Sequence, residues 1–360
     1  MHIVLSGYYG FDNDGDEAIL YAIIQALKQF KPDARITVLS NDPEATSKSY
    51  GVQAVNRWRP REIYAAIRQS NGLLSGGGSL LQDHTGIRSI PYYTGIMKVA
   101  QWLKKPVFVY AQGMGPIQRR HNQWIVKRVL NNASQVTVRD AASMNLLKQL
   151  GVSRPIQVVP DPVIGLDCTA FKNEWLEINQ VASPIIAVSV RDWPAAMDFK
   201  KRIALCLDQL ANDGNTIIFV PMHGKLDEAV SEQTATLMEQ KSYLVPSSLS
   251  LKEKISIIGC ADLLIGIRLH ALIFSAITNT PFVAISYDPK VDSFASMCDQ
   301  PVIGHLDQDN WCDKKLLQSV NHIMKNADLQ KEKLDSRIRS MQKHATHSFQ
   351  QAVTELFTGT

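Results

Sequence analysis

Short runs of β-branched and other apolar residues, bounded by Gly, Pro or polar positions, alternate along this chain with stretches of helical periodicity. That alternation is the pattern of βαβ units wound into a parallel sheet. In the first half it predicts strands over residues 2–6, 35–39, 72–75, 107–111, 136–138 and 156–159. In the second half it predicts them over 185–190, 216–221, 242–245, 263–267 and 282–286. Both halves read as doubly wound. The proline-marked stretch from Pro160 to Pro184 interrupts the rhythm and is the natural place for a linker. The expected organisation is therefore a Rossmann-like domain over 1–165, a linker over 166–183, a second Rossmann-like domain over 184–325 and a helical tail over 326–360. In that tail Leu329, Leu334, Ile338, Met341, Ala345, Phe349, Val353 and Phe357 form one apolar stripe. A helix packed on the body of the protein, with a basic face against a membrane as the alternative, is what such a stripe predicts.

Composition narrows the class without naming a chemistry. A length of 360 residues exceeds one ordinary hydrophobic core and suits two domains, and 45% apolar with 20% charged residues is globular. The net charge of +4 is spread along the chain with no nucleic-acid-binding module in sight, so no nucleic-acid partner is expected. Cys168, Cys206, Cys260, Cys298 and Cys312 are odd in number and never fall in a C-x-x-C pair, which argues against a disulfide framework and against zinc. A reducing cytoplasm fits this usage. The opening MHIVLSGYYG has no signal-peptide character, and no apolar run reaches the ~18 residues that span a bilayer.

Ligands of open α/β sheets bind beyond the carboxyl ends of the strands, where loops and helix N-termini converge. The first strand runs into GYYGFDNDGDEAIL, which crowds Asp12, Asn13, Asp14, Asp16 and Glu17 at a helix start. One acid there is an ordinary cap, but several exceed what a cap needs and suit the orientation or deprotonation of a sugar hydroxyl. Gly76, Gly77 and Gly78 follow another strand and either make a tight turn or let backbone approach a ligand, with Asp83 and His84 just beyond. Arg139 leaves a strand end beside Asp140, as a surface ion pair or an anion contact. The second half offers bases instead: Arg191, His223, and Arg268 with His270 in GIRLHAL, followed by Tyr287, Asp288 and Lys290 in SYDPKV. A partly buried cation at a strand end calls for an anion, so Arg268 is the expected clamp on a phosphate or carboxylate. His270, two positions on at a helix start, is the expected acid or base.

Taken in order, GYYGFDNDGDEAIL, GGGSLLQD, AQGMGPI, VRD, PDPV, GIRLHAL and SYDPKV resemble the polysaccharide pyruvyltransferase family, in particular its bacterial CsaB-type members. The resemblance implies a GT-B-like fold, two Rossmann-like domains facing a central cleft, with the last helix returning to the first domain. It also implies transfer of a pyruvyl group from phosphoenolpyruvate to two hydroxyls of one sugar, as a cyclic ketal. In the CsaB branch the acceptor is N-acetylmannosamine of a lipid-linked secondary cell wall polymer precursor, and the product anchors S-layer proteins. By carry-over Arg268 and His270 meet phosphoenolpyruvate, with Arg139 as a further anion contact, and Leu269 between them counts among the substrate-binding residues. Phosphoenolpyruvate is then a donor substrate, and no cofactor or metal is expected.

This chemistry suits the residues. A carboxylate and a phosphate on one small frame need two or more fixed cations, which Arg268 with Arg139 or Arg191 could supply, while Gly77, Gly78, Asp83, His84, His223 and Lys290 complete the expected substrate contacts. His270 is the expected general acid, and Asp14, Asp16 or Glu17 the expected acceptor of the hydroxyl proton. A lipid-linked acceptor implies work at the cytoplasmic face of the membrane, with Lys331, Lys333, Arg337, Arg339 and Lys343 as headgroup contacts. The rival readings are a glycosyltransferase or sugar-nucleotide epimerase on the same architecture, with Asp288 holding a ribose, and a non-catalytic glycan-binding protein.

Overall fold

The computed structural model describes residues 1–83, 86, 88–195 and 197–358, except for the side chains of residues 352 and 355–358. The chain divides into two compact units, Met1–Leu166 with Met341–Thr360, and Asp167–Ser340. Each is built on one parallel sheet.

The first unit carries β1 (His2–Ser6), β2 (Arg35–Ser40), β3 (Gln53–Asn56), β4 (Gly72–Gly76), β5 (Val107–Gln112), β6 (Gln135–Val138) and β7 (Ile156–Val158). Their order is β3-β2-β1-β4-β5-β6-β7. Val4 of β1 sits opposite Thr37 on one side and Leu73 on the other, and every residue of β1, β4 and β5 is buried. Such strands are mostly apolar, with their few polar residues near the ends, because helices cover both faces of a parallel sheet. The second unit carries β8 (Ile185–Ser189), β9 (Thr216–Phe219), β10 (Ser242–Leu244), β11 (Leu263–Gly266), β12 (Phe282–Ser286) and β13 (Val302–His305). Their order is β10-β9-β8-β11-β12-β13.

The α/β expectation holds, and each predicted strand is present. Two strands were not predicted, β3 (QAVN) and β13 (VIGH), and both lie at sheet edges with partly exposed residues. An edge strand buries less and so carries a weaker apolar signature than a central one.

The last helix, Ala327–Thr358, starts among the residues of the second unit and ends among those of the first. In the first unit its Ala345, Phe349 and Val353 are buried, and the Phe349 ring meets Tyr110 of β5 edge-on at 5.0 Å. Among the described residues no helix is long and apolar enough to cross a membrane, and no three His, Cys, Asp or Glu side chains are grouped so as to hold a metal. All five cysteines are free thiols.

Candidate active site

In each sheet the strand order reverses once, between β1 and β4 in the first unit and between β8 and β11 in the second. The carboxyl end of the sheet opens into a crevice at such a reversal, since the connections leave in opposite directions.

At the first reversal the acids of the β1 loop and the glycines after β4 come together. Asn13 caps the helix Asp14–Phe30 by accepting from the Gly15 N–H, and its side-chain amide donates to Asp16 at 2.7 Å. Gly77 and Gly78 both have positive φ, and a Cβ on Gly78 would lie 2.5 Å from the Asp16 carboxylate. The glycines therefore let the β4 turn close against the start of that helix, a conformation other residues adopt only with strain. Glu17 has a different job. It accepts from the Gly10 N–H at 2.7 Å and from the Tyr50 hydroxyl at 2.6 Å, which ties down the β1 loop. Burial raises its carboxyl pKa despite those two hydrogen bonds. Asp12 is exposed, with a left-handed backbone.

Two other predicted contacts of the first unit are engaged within the fold. Asp83 accepts from the Gln118 and Arg119 N–H groups and from the Asn122 side chain. Burial alone would raise its pKa, but these donors, Gln118 foremost, hold it below the ordinary carboxyl value. Arg139 is buried, reaching Asp161 at 3.2 Å and donating to the Ser79 hydroxyl at 3.0 Å, while Asp140 caps the helix Ala141–Gln149. The cation thus has an anion from its own unit. His84 lies outside the described residues.

At the second reversal the chemistry is cationic. Arg191 follows β8 and Arg268 follows β11, which are neighbouring strands. Arg191 lies over the rings of Tyr287 (4.3 Å) and Trp193 (5.0 Å). Burial lowers its pKa, and the like charge of Arg268 adds to the effect. Arg268 donates to Asp227 through Nε at 2.7 Å and through a second, shorter bond from Nη2. Asp227 is almost fully buried in the first turn of the helix Gly224–Thr236, which His223 precedes as N-cap. The need for an anion beside Arg268, read from the sequence as a need for ligand, is met in part by this carboxylate. Asp227 also sets the orientation of the guanidinium, one edge on the carboxylate.

Leu269 is buried at the start of the helix Leu269–Ile277 and His270 is half-buried in its first turn, one helical turn before Phe274. Lys290 pairs with Asp288 at 3.1 Å and lies over Tyr287, and Asp288 caps the helix Pro289–Met297 by accepting from the Lys290 N–H. A crevice of about 50 Å³ lies elsewhere in the first unit, between Ala22, Phe30, Tyr110 and Phe349. It holds none of these groups.

The polysaccharide pyruvyl transferase family matches residues 13–289, a span that begins at the Asn13 cap and ends just past the Tyr287–Asp288 loop. The chain belongs to this family. It is a transferase of the pyruvyl transferase class, acting on a polysaccharide. The transferase is 24% identical to the amylovoran biosynthesis protein AmsJ of Erwinia amylovora, over 91% of this chain and 92% of that one. Among solved structures it is similar in fold to HepE of Anabaena in complex with UDP-glucose, with a TM-score of 0.67, 12% identity and full coverage of both chains. It is also similar to the UDP-GlcNAc 2-epimerase of Neisseria meningitidis bound to UDP-GlcNAc, with a TM-score of 0.64 and 11% identity over 99% of this chain and all of that one. At these identities the likeness is one of fold, and it places the transferase among GT-B-like α/β proteins.

Sequence reasoning missed three residues that organise the transferase's strand ends. Asp227 stands in KLDEA and reads as a solvated acid of a helix start; its distance from Arg268 along the chain hides the pairing. Asp161 was visible in PDPV but carried no role until the fold set it beside Arg139. Arg57 is buried in a stretch, NRWRP, that reads as a polar turn.

Proposed function

We propose that the enzyme transfers the pyruvyl group of phosphoenolpyruvate to two hydroxyls of one sugar in a glycopolymer precursor, forming a cyclic ketal and releasing phosphate. The observation that carries this reading is the pair of guanidiniums, Arg191 and Arg268, at the ends of neighbouring strands where the sheet of the second unit reverses. Two fixed cations match the carboxylate and phosphate of the donor, and half-buried guanidiniums side by side are stabilised when a polyanion joins them. Lys290, His223 and Leu269 lie on loops and helix starts that follow strands of the same sheet.

In this mechanism His270 protonates the methylene carbon of the donor, leaving oxocarbenium character on the carbon that bears the phosphate. A sugar hydroxyl adds there and gives its proton to Asp14 or Asp16. The bond to the phosphate oxygen then breaks, and phosphate departs with the electron pair. The second hydroxyl adds to the same carbon and its proton passes to the released phosphate, which leaves as hydrogen phosphate while the ring closes. Atoms and charge balance without an oxidant, a reductant or a further cofactor.

In its most specific form the acceptor is N-acetylmannosamine of a lipid-linked secondary cell wall polymer precursor, as the CsaB-type motifs suggest. AmsJ, named for amylovoran biosynthesis, widens the acceptor class to other polysaccharides. An acceptor held in the membrane would bring the enzyme to the bilayer's cytoplasmic face, where the exposed Lys333, Arg337, Arg339 and Lys343 and the half-buried Lys331 would meet acidic headgroups. The sugar-nucleotide alternative needs an acid to hold a ribose, and Asp288 is already engaged by the N–H and ammonium of Lys290.

Mass spectrometry of a lipid-linked disaccharide incubated with enzyme and phosphoenolpyruvate tests the reading: a gain of one pyruvate less water is expected, and no gain with turnover of labelled nucleotide sugar would overturn it. His270→Ala should bind phosphoenolpyruvate nearly as the wild type does, yet lose about 10²- to 10⁴-fold in phosphate release.

A further inference from the structure

Beyond the carboxyl ends of β1, β2 and β3, the first unit gathers aromatic rings round one buried cation. The Arg57 guanidinium lies 5.0 Å from the Phe11 ring, 5.2 Å from Trp58, 4.4 Å from Tyr92 and 5.5 Å from Tyr93. It donates to the Gly7 carbonyl and to the Tyr93 hydroxyl, and it forms no ion pair among the described residues. Cation–π contact therefore stands in for a carboxylate, fixing the rings about a common centre. Tyr8 stacks on Phe11 with centroids 4.1 Å apart, and Trp58 tilts against Tyr92 at 5.5 Å.

The outer surface of this cluster is open. Trp58 is 60% exposed, and Tyr8, Phe11 and Tyr92 are half-buried. Other tryptophans are exposed too, but Trp102 and Trp124 lie on helix surfaces, and Trp124 has Arg128 of its own helix beside it. Trp58 is held differently. Its indole N–H donates to the Asn41 side chain at 2.9 Å, and the Asn41 amide donates to the Gly10 carbonyl at 3.2 Å in the loop that leads to Asp14 and Asp16. A large apolar face is thus locked in place while remaining in solvent, with amide and hydroxyl groups round its edge and the helix-start acids on the adjoining loop. Locking costs stability unless the face is used, because an exposed ring gains little from being held.

We propose that the aromatic cluster round Arg57 is a stacking subsite for a pyranose ring of the acceptor glycan. A pyranose is apolar on its C–H faces and hydroxylated at its rim, so it buries one face on an aromatic ring while its hydroxyls bond to side chains at the edge. The subsite rests on the reading of a glycan acceptor given above and adds where that glycan is gripped. Arg57 acts as a positioning residue. Trp58 supplies the principal face, and Asn41 sets its angle.

The test is saturation-transfer NMR on the full chain with two neutral probes, an N-acetylmannosaminyl–N-acetylglucosamine disaccharide and lactose, using wild type, Trp58→Ala, Trp58→Phe and Trp102→Ala. Saturation of pyranose ring protons from at least one probe is expected with wild type, Trp58→Phe and Trp102→Ala, and at least a fivefold loss with Trp58→Ala. Phosphoenolpyruvate affinity, followed by calorimetry, should agree within twofold across the set. With a turned-over acceptor, Trp58→Ala should raise the acceptor KM about tenfold and leave kcat within threefold. Wild-type saturation in Trp58→Ala, or its absence with both probes in the wild type, overturns the subsite. If Trp58→Ala loses sugar contact while the wild type releases no phosphate from phosphoenolpyruvate, the subsite stands and pyruvyl transfer falls. Phosphate release with the acceptor KM unchanged in Trp58→Ala is the reverse outcome.

Discussion

The two units wind their strands in the same sense, outward from β1 and from β8, yet they dress the reversal point with opposite chemistry. The first presents Asp14, Asp16, glycine backbone and aromatic faces; the second presents Arg191, Arg268 and His270. Neutral, many-handed sugars are recognised by shape and by hydroxyl geometry, whereas a small polyanion is recognised by charge. One scaffold used twice can therefore serve two unlike reactants, and the difference is carried by a few residues beyond the strand ends.

Replacing Arg268 tests that division most severely. Arg268→Ala should abolish donor binding, with a loss of about 10²- to 10⁴-fold in kcat/KM, and Arg268→Lys should recover little because a point charge cannot reproduce the planar fork. Any effect on sugar contact would blur the contrast between the units. Asp227→Asn comes next. Removing the buried partner of Arg268 should lower the denaturant midpoint, the cost being about 3 kcal/mol, and should raise the phosphoenolpyruvate KM more than it lowers kcat. Asp16→Asn should do the opposite, lowering kcat by about 10²-fold with donor affinity unchanged in calorimetry.

The smallest expected effect belongs to Glu17. Its folded-state pKa is raised by burial, so the protonated form favours folding. That contribution is fully present below the ordinary glutamate value of 4.5 and is lost as pH rises through the folded value. Thermal unfolding of wild type and Glu17→Gln from pH 7 down to 4.5 should show wild type gaining relative to the variant as acid is added. A gap independent of pH would assign Glu17 an ordinary exposed carboxyl.

The sequence yielded the parts of the fold in which local pattern and tertiary environment agree. Central strands such as IVL in β1 and LLIG in β11 are apolar because both faces are covered, and that leaves a continuous signature. QAVN and VIGH lie at edges, are partly exposed and leave a weaker one. The same rule explains the sites. Arg268 and Asp16 stand at the ends of recognisable strands or the starts of recognisable helices, so their positions could be read. Their partners could not be: Asp227 joins Arg268, and Gly78 joins Asp16, only after the sheet has brought distant loops side by side. Arg57 was hidden for a further reason. A cation held by ring faces rather than by an acid leaves no charge pattern to find.

The final helix has a consequence for synthesis. The first unit includes Met341–Thr360, and the whole of the second unit is encoded between its two pieces. During translation the surface round Tyr110 and Ala22 that Phe349 and Ala345 cover must wait, uncovered, until those late residues leave the ribosome. The nascent chain can complete its later-encoded half first, while its earlier-encoded half still exposes apolar surface.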